Sequence, residues 1–523
     1  MKTSHLLPLA TICLSLFASS SALAGGEDLR SLDLSQMRAG LDAGRFTSEQ
    51  LTQAFLDEIG RNNKKGDGIN AVTTLNPKAL DEARAWDKAH KAGALSKPLG
   101  GIPFLAKDNY DSKGLLTTGG SVALSENVPD QDAFTLGKIL SQGAVLMGKT
   151  NMSELAASYG RLGYSSYGGQ TLNPYNRLRD ASGSSSGSAA AVAAGFAPFA
   201  LGTDTSGSVR GPACVTGNVG LRPTLGVTSR SGIIPLSLTA DTAGVITRTV
   251  SDQAIVLEAM AGPDPKDAAT LEPEAALPKD LLKGLSSGSL KGRRFLCIDN
   301  FDGGNPDVDR VRNDTVKLLE KAGATIEHRK LPDRYADLWT LVLGPVGTAE
   351  FRAQFDAYLA SHPKAPHDSK AFMDVLSKLT DGGKKLINPG RYQGLEESIG
   401  TKDADSPKYI SILTNLIPKL RSEMSSFIKD GKYDAAIFPT MSCPASVVYG
   451  KEDKSYVCKS PDPYAPSYIA SATGFPELTV RAGTAAGNVP VGMSFLGVPG
   501  NDAKLLNLGR LFEMARDKAQ AGK

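Results

Sequence analysis

Between Ala181 and Val209 the chain carries a single charged residue, Asp204, in 29 positions. The stretch opens Ala181-Ser182-Gly183-Ser184-Ser185-Ser186-Gly187-Ser188 and runs into the alanine-rich segment Ala189 to Ala194. It closes Leu201-Gly202-Thr203-Asp204-Thr205-Ser206-Gly207-Ser208-Val209. A Gly/Ser run standing alone reads as a flexible linker. This one abuts an apolar helical segment and lies between strand-type sequences, so it is expected to fold against them. Serines at the entrance of a helix bring hydroxyls and free N–H groups together at its positive end. The second cluster sets the consecutive N–H groups of Thr205, Ser206 and Gly207 around the Ser208 hydroxyl. A serine nucleophile beside an oxyanion hole requires that grouping.

A serine nucleophile also needs a base. His90, His328, His362 and His367 all lie far from these motifs in sequence, which weakens a Ser-His-Asp arrangement. Lys107 is the alternative, at the end of the apolar run Ile102 to Ala106, where burial would disfavour its charge and lower its pKa. The plainer reading is a strand-end lysine that reaches solvent or pairs with Asp108.

The flanks predict an α/β chain. Thr47-Ser48-Glu49-Gln50 has capping-box spacing, followed by Leu51, Phe55 and Ile59 on one helical face. Asn76-Pro77 is expected to cap a helix running toward His90. Ile102 to Ala106 and Val145 to Met147 suit buried strands, with a helix from about Phe134 to Ser141 between them. Strands return at Ala435 to Phe438 and Leu478 to Val480, before a closing helix around Leu505 to Ala515. Residues 263–432 are richer in charge and poorer in glycine, as expected of a mainly helical insertion or lid. Core-type signals on both sides of it argue for one large domain, residues 25–523. With 41% hydrophobic and 22% charged side chains the chain is not disordered. A net charge of +3 leaves no electrostatic footprint for nucleic acid.

Lys2, the apolar run Leu6 to Phe17 and the exit Ala22-Leu23-Ala24 describe a secretory signal cleaved before Gly25. The run is too short for a spanning helix, so no stable membrane anchor and a periplasmic or secreted product are expected. Four cysteines remain: Cys214, Cys297, Cys443 and Cys458. None shows C-x-x-C spacing and no histidine is near one in sequence, so no metal site is expected. Cys443 and Cys458, the closest pair in sequence, are the best disulfide candidates in an oxidising compartment, against four buried free thiols.

Gly101-Ile102-Pro103-Phe104-Leu105-Ala106-Lys107-Asp108, the Ser184-Ser185 cluster and Gly202 to Arg210 resemble, in order and interval, the three signature blocks of the amidase signature family. Further agreement comes from Gly148-Lys149-Thr150-Asn151-Met152-Ser153-Glu154, Gly220-Leu221-Arg222-Pro223-Thr224, Asp241-Thr242-Ala243-Gly244, Gly474-Phe475-Pro476 and Pro490-Val491-Gly492. The resemblance implies a single domain with a twisted mixed sheet covered on both faces by helices. It also implies an amide-bond hydrolase needing no metal or cofactor. Ser208 would be the nucleophile, Ser184, held by a cis peptide, the proton relay and Lys107 the base, with the oxyanion on the N–H groups of Thr205, Ser206 and Gly207. Met152, Ser158 and Tyr159, the charged middle and the loop Cys443–Tyr464 would line the pocket. The chain departs from the family pattern at Ser182, Ser186 and Ser206, where glycine is common. Similar serine-rich variants occur among the family's exported peptide-amide hydrolases. Peptide amides, aryl acylamides, aliphatic amides and lactams all remain open as substrates, and oligomeric state is unread.

Gly143-Ala144-Val145-Leu146-Met147-Gly148-Lys149-Thr150 matches the spacing of a phosphate-binding loop, but its centre is strand-like and what precedes it is helical. Three other readings remain: a catalytically silent binding protein on this fold, the glutamine-hydrolysing subunit of a tRNA-dependent amidotransferase, and a Ser-His-Asp esterase.

Overall fold

The computed structural model describes residues 28–64, 68–93, 97–285 and 288–521. The signal segment expected over residues 1–24 therefore lies outside the described residues. Eleven strands form one sheet: β1 (Val72–Leu75), β2 (Pro103–Lys107), β3 (Val145–Thr150), β4 (Phe199–Asp204), β5 (Val219–Arg222), β6 (Thr242–Thr247), β7 (Arg294–Ile298), β8 (Thr325–Arg329), β9 (Ala435–Pro439), β10 (Glu477–Ala485) and β11 (Val489–Leu496). Their spatial order is β1-β3-β2-β4-β6-β5-β10-β11-β9-β7-β8. Strand β2 runs parallel to β3 and β4, and β9 parallel to β7, while β6, β5, β10 and β11 are joined antiparallel. Every residue of β2, β3, β4, β6 and β9 is buried, which requires helices on both faces of the sheet. The helices include α1 (Ser48–Asn62), α2 (Ala79–Lys91), α3 (Ser186–Ala193), α4 (Arg210–Thr216), α5 (Pro306–Lys321), α6 (Gly344–Ala360), α7 (Pro389–Gly400) and α8 (Asp502–Ala521).

Local sequence accounts for much of this. Thr47 and Gln50 close both hydrogen bonds of the capping box at α1, and Leu51, Phe55 and Ile59 are buried. Burying side chains of that size stabilises the fold by roughly 1.5–3 kcal/mol each. They join a cluster in which Phe104 of β2 stacks on Phe199 of β4, ring centroids 5.1 Å apart. On a second cluster, Leu505 and Phe512 of α8 meet Leu478, Val480 and Phe495. Helix α2 starts at Ala79, later than Asn76-Pro77 suggested. Asn76 spends its side chain on the Lys78 N–H (3.0 Å) and the Leu146 carbonyl (2.8 Å), so it ties the helix to β3.

The middle region departs from expectation in one respect. Besides its helices, residues 263–432 supply β7 and β8, which with α5 form a β–α–β unit extending the sheet at one edge. Phe351, Phe355 and Tyr358 of α6 and Leu395 of α7 pack with Leu155 and Ile234 of the core, so these helices rest beside the segment that follows β3.

Candidate active site

Parallel pairing of β2 with β4 sets their carboxyl ends side by side, the usual position for a site in such a sheet. Lys107 ends β2 and is fully buried. Its Nζ lies 2.8 Å from Ser184 Oγ and 2.7 Å from Thr203 Oγ1. Asn109 Nδ2 also donates to Thr203 Oγ1 (3.0 Å). Burial pushes the Lys107 pKa from 10.5 down to about 7, against the pull of Asp204 and Asp241. A neutral amine has two N–H donors and one lone pair. With Thr203 Oγ1 taking a donor, the lone pair is free to accept the Ser184 hydroxyl proton.

The two serine motifs are stitched together by main chain. The Ser185 N–H donates to the Ser208 carbonyl (3.1 Å), the Ser153 N–H to the Ser184 carbonyl (3.1 Å), and Ser185 Oγ to the Thr203 carbonyl (3.1 Å). The Gly183–Ser184 peptide is cis, as the family resemblance implied. Ser184 stands two residues before α3, whose N-cap, Ser185, makes no side-chain capping hydrogen bond.

Asp204, at the end of β4, shapes the turn that carries Ser208. Its carboxylate accepts the N–H groups of Gly207 (2.9 Å) and Val209 (3.0 Å) and is paired with Arg210 (2.8 Å) and Arg222 (3.2 Å), all buried. Burial alone would raise its pKa, but the two guanidiniums and the N–H donors overcome this and hold it far below the carboxylate range. Arg210 reaches on to Glu477 and to the Ser467 carbonyl (2.8 Å).

This arrangement changes the expected oxyanion set. The Gly207 N–H is already donated to Asp204, and the Ser206 carbonyl of the same peptide accepts Ser467 Oγ (3.2 Å), so that peptide is pinned at both ends. Gly207 has φ +106°, and a Cβ there would sit 2.4 Å from Ser467 Oγ, which leaves no room for a side chain. Among the described residues, the N–H groups of Thr205 and Ser206 carry no hydrogen bond.

Of the expected pocket residues, Ser158 lies beside Gly183, the residue before Ser184. Its Oγ donates to Ser153 Oγ (2.9 Å), and both hydroxyls rest against Gly183. Met152 is fully buried. Tyr159 turns to the insertion, its carbonyl accepting Asn388 Nδ2 (3.0 Å) and its ring lying 5.5 Å from the Arg391 guanidinium of α7. Thr203, Asn109 and Ser467 carry no role in the sequence reading, although Thr203 stands inside the Gly202–Arg210 motif, while Ser153 and Tyr464 fall within segments expected only to line the pocket. Asn109 Oδ1 is buried without a partner and lines a small cavity with Thr203, Thr205 and Asp241.

Residues 145–150 are β3 rather than a phosphate-binding loop. Lys149 is buried 3.4 Å from Asp108, donating to the Tyr110 carbonyl (2.6 Å) and Thr117 Oγ1 (2.8 Å). Asp108 therefore pairs with Lys149, not Lys107. None of the described histidines bonds Ser184 or Ser208; His362, for one, pairs with Asp111 (2.8 Å). Cys443 and Cys458 form a disulfide, and Cys214 and Cys297 are free and buried. The β7–β8 register sets His328 beside Cys297, closing the sequence gap between them. With Asp299 these form a grouping of metal-ligand type, but Arg312 already supplies a cation to Asp299 (3.5 Å). Among the described residues no helix is long and apolar enough to cross a membrane.

The sequence profile of the Amidase family matches residues 50–506. The chain is 32% identical over 480 residues to a glutamyl-tRNA(Gln) amidotransferase subunit from Methanosarcina barkeri, covering 90% of this chain and 94% of that protein. It is 33% identical over 493 residues to the corresponding subunit from Aromatoleum aromaticum, covering 92% and 97%. Among solved structures, native peptide amidase from Stenotrophomonas maltophilia superposes with TM-score 0.81 at 32% identity, over 93% of this chain and 97% of that one. The same amidotransferase subunit from Thermotoga maritima superposes with TM-score 0.69 at 26% identity, over 93% and 95%.

Proposed function

The chain belongs to the amidase family and is an amide-bond hydrolase, and we propose that it works by Ser-Ser-Lys chemistry as a free-standing exported enzyme. The observation that carries this reading is the buried Lys107 amine, 2.8 Å from Ser184 Oγ and brought to a pKa of about 7. Ser208 Oγ attacks the carbonyl carbon of a carboxamide. Its proton passes to Ser184, whose own proton passes to Lys107. The oxyanion that forms is held by the free N–H groups of Thr205 and Ser206. The C–N bond then breaks as Lys107 returns the proton through Ser184 to the leaving nitrogen. Ammonia or an amine departs, and water releases the acyl group from Ser208 by the same steps in reverse.

A small or peptide amide is the substrate, with Ser158, Tyr159 and the α6–α7 insertion bordering its access. Export is supported by the basic, apolar and A-x-A order of the first 24 residues and by the Cys443–Cys458 bond, since such bonds persist in oxidising compartments. A second reading, a glutamine-hydrolysing subunit that works in a complex, is favoured by the amidotransferase relatives. The fold similarity is higher to the peptide amidase, 0.81 against 0.69.

Ammonia or amine release by the isolated chain separates the two, measured on a C-terminal peptide amide, an anilide, an aliphatic amide and glutamine. Turnover of a peptide or aliphatic amide, lost in Ser208→Ala and in Lys107→Ala, is expected. Activity confined to glutamine would favour the subunit reading. A silent binding protein would turn over none of them.

A further inference from the structure

The segment from Cys443 to Ser467 touches the backbone of both serine motifs. Its first part lies along the chain that leads into Ser184. The Arg179 guanidinium donates to the Ala445 carbonyl (2.8 Å) and to Asp453 (2.7 Å), the Asp180 N–H donates to the Ser446 carbonyl (2.9 Å), and the Val448 N–H to the Leu178 carbonyl (2.9 Å). Its last part reaches the motifs themselves. Tyr464 Oη accepts the Gly183 N–H (3.1 Å), donates to the Gly183 carbonyl (3.2 Å) and meets the Ser182 hydroxyl. Three residues on, Ser467 Oγ bonds the Ser206 carbonyl. Tyr464 and Ser467 are joined in one turn by the Ser467 N–H to the Tyr464 carbonyl (2.9 Å). One short turn thus fixes the peptide before Ser184 and the peptide two residues before Ser208.

The turn itself is a short 3-10 helix, Ala465–Ser467, that leads into the helix Tyr468–Thr473, but the chain before it has little regular structure. Residues 440–463 contain no helix or strand beyond the isolated bridge between Arg179 and Val447. What closes the segment is the Cys443–Cys458 bond, together with the Ser442 N–H to the Pro463 carbonyl (3.1 Å) and the Lys459 N–H to the Gly304 carbonyl (2.8 Å).

Building on the Ser-Ser-Lys reading, we propose that the segment closed by the Cys443–Cys458 bond is the seat that aligns the two serines, with Tyr464 as its positioning residue. Tyr464 donates no group to the reaction. It keeps the Ser184 hydroxyl in register with Lys107 and Ser208, and a misplacement near 1 Å can cost about a hundredfold in rate. The seat also makes the enzyme sensitive to reductants. A dithiol converts the Cys443–Cys458 bond to two thiols and is itself oxidised to a cyclic disulfide, which frees the loop.

The test is the rate at which a fluorophosphonate labels Ser208 in the full chain, alongside kcat and KM on the best amide. Wild type is run beside Tyr464→Phe, the double variant Cys443→Ala/Cys458→Ala, and Met514→Leu, an exposed position on α8 away from the site. Expected for Tyr464→Phe is labelling and kcat lower by about ten- to a hundredfold, with KM and Tm nearly unchanged. Dithiothreitol should slow labelling of wild type and leave the double variant, already slow, unaffected. Met514→Leu should match wild type. A Tyr464→Phe enzyme that labels and turns over like wild type would overturn the proposal, as would a loss that appears only as a lowered Tm. If Ser208 of wild type resists labelling while amide turnover persists, the Ser-Ser-Lys reading falls and takes this inference with it.

Discussion

A lysine serves as a base near neutrality only where its surroundings disfavour its charge. Lys107 meets that condition by complete burial at a strand end, with Thr203 and Ser184 hydroxyls rather than a carboxylate against its Nζ. Its neutral form prevails above its pKa, so kcat/KM is expected to rise with pH through about 7. Lys107→Ala should lose that rise along with about 10²- to 10⁴-fold in rate, read from a pH–rate profile. Asp204 is the structural counterpart at this scale, holding two guanidiniums and the turn around Ser208. Asp204→Ala leaves two buried cations without their shared partner. It is expected to cost about 3–5 kcal/mol in stability, measured by urea unfolding, and to abolish turnover. The motif order put Lys107, Ser184 and Ser208 forward as candidates, and the fold sets the Lys107 amine 2.8 Å from Ser184 Oγ. Gly207's engagement was not legible, because the residue that claims its N–H, Asp204, reads in sequence only as an isolated charge.

At the scale of elements, α6 is joined to the loop that follows Lys107. His362, just past α6, pairs with Asp111 (2.8 Å), and Tyr358 of α6 donates to the other Asp111 oxygen (2.7 Å) while stacking on His362. Desolvation lowers the His362 pKa, but the Asp111 hydrogen bond and charge, helped by the Tyr358 carbonyl and Asp130, raise it on balance. A histidine with a raised folded pKa gives stability that is full below its unfolded value near 6.5 and fades as pH rises through the folded one. Amide protection at the carboxyl end of α6, with exchange corrected for its intrinsic rise with pH, is therefore expected to fall as pH rises above about 6.5. Asp111→Asn should remove most of that fall, and an unchanged profile would refute the link. The capped α1 and the closing α8 were readable from local periodicity. Strand β8 was not, because an exposed five-residue edge strand, Thr325–Arg329, carries no alternation to separate it from the helical texture around it.

Across the whole molecule, the strands on either side of the charged middle belong to one sheet, which is why core-type signals at both ends of the sequence pointed to a single domain. The sheet's order could not be read, since adjacency of β5 with β10 joins segments more than 250 residues apart. The Cys443–Cys458 bond was legible as the closest cysteine pair. The meeting of Cys297 with His328 was not, because only the parallel register of β7 and β8 brings them together. If the chain is exported, the mature protein recovered from an exporting host should begin at Gly25, as N-terminal sequencing would show. A protein retaining Met1 and held inside the cell would count against export and for the subunit reading.

The central claim is an acyl group carried on Ser208 and placed there by a lysine base. Mixing enzyme with an activated amide, quenching in acid and mapping the peptides by mass spectrometry reads this directly. The expected result is the acyl mass on the peptide that contains Ser208, absent in Ser208→Ala and strongly reduced in Lys107→Ala near pH 7. Full turnover with no adduct on Ser208, or an undiminished adduct in Lys107→Ala, would contradict it.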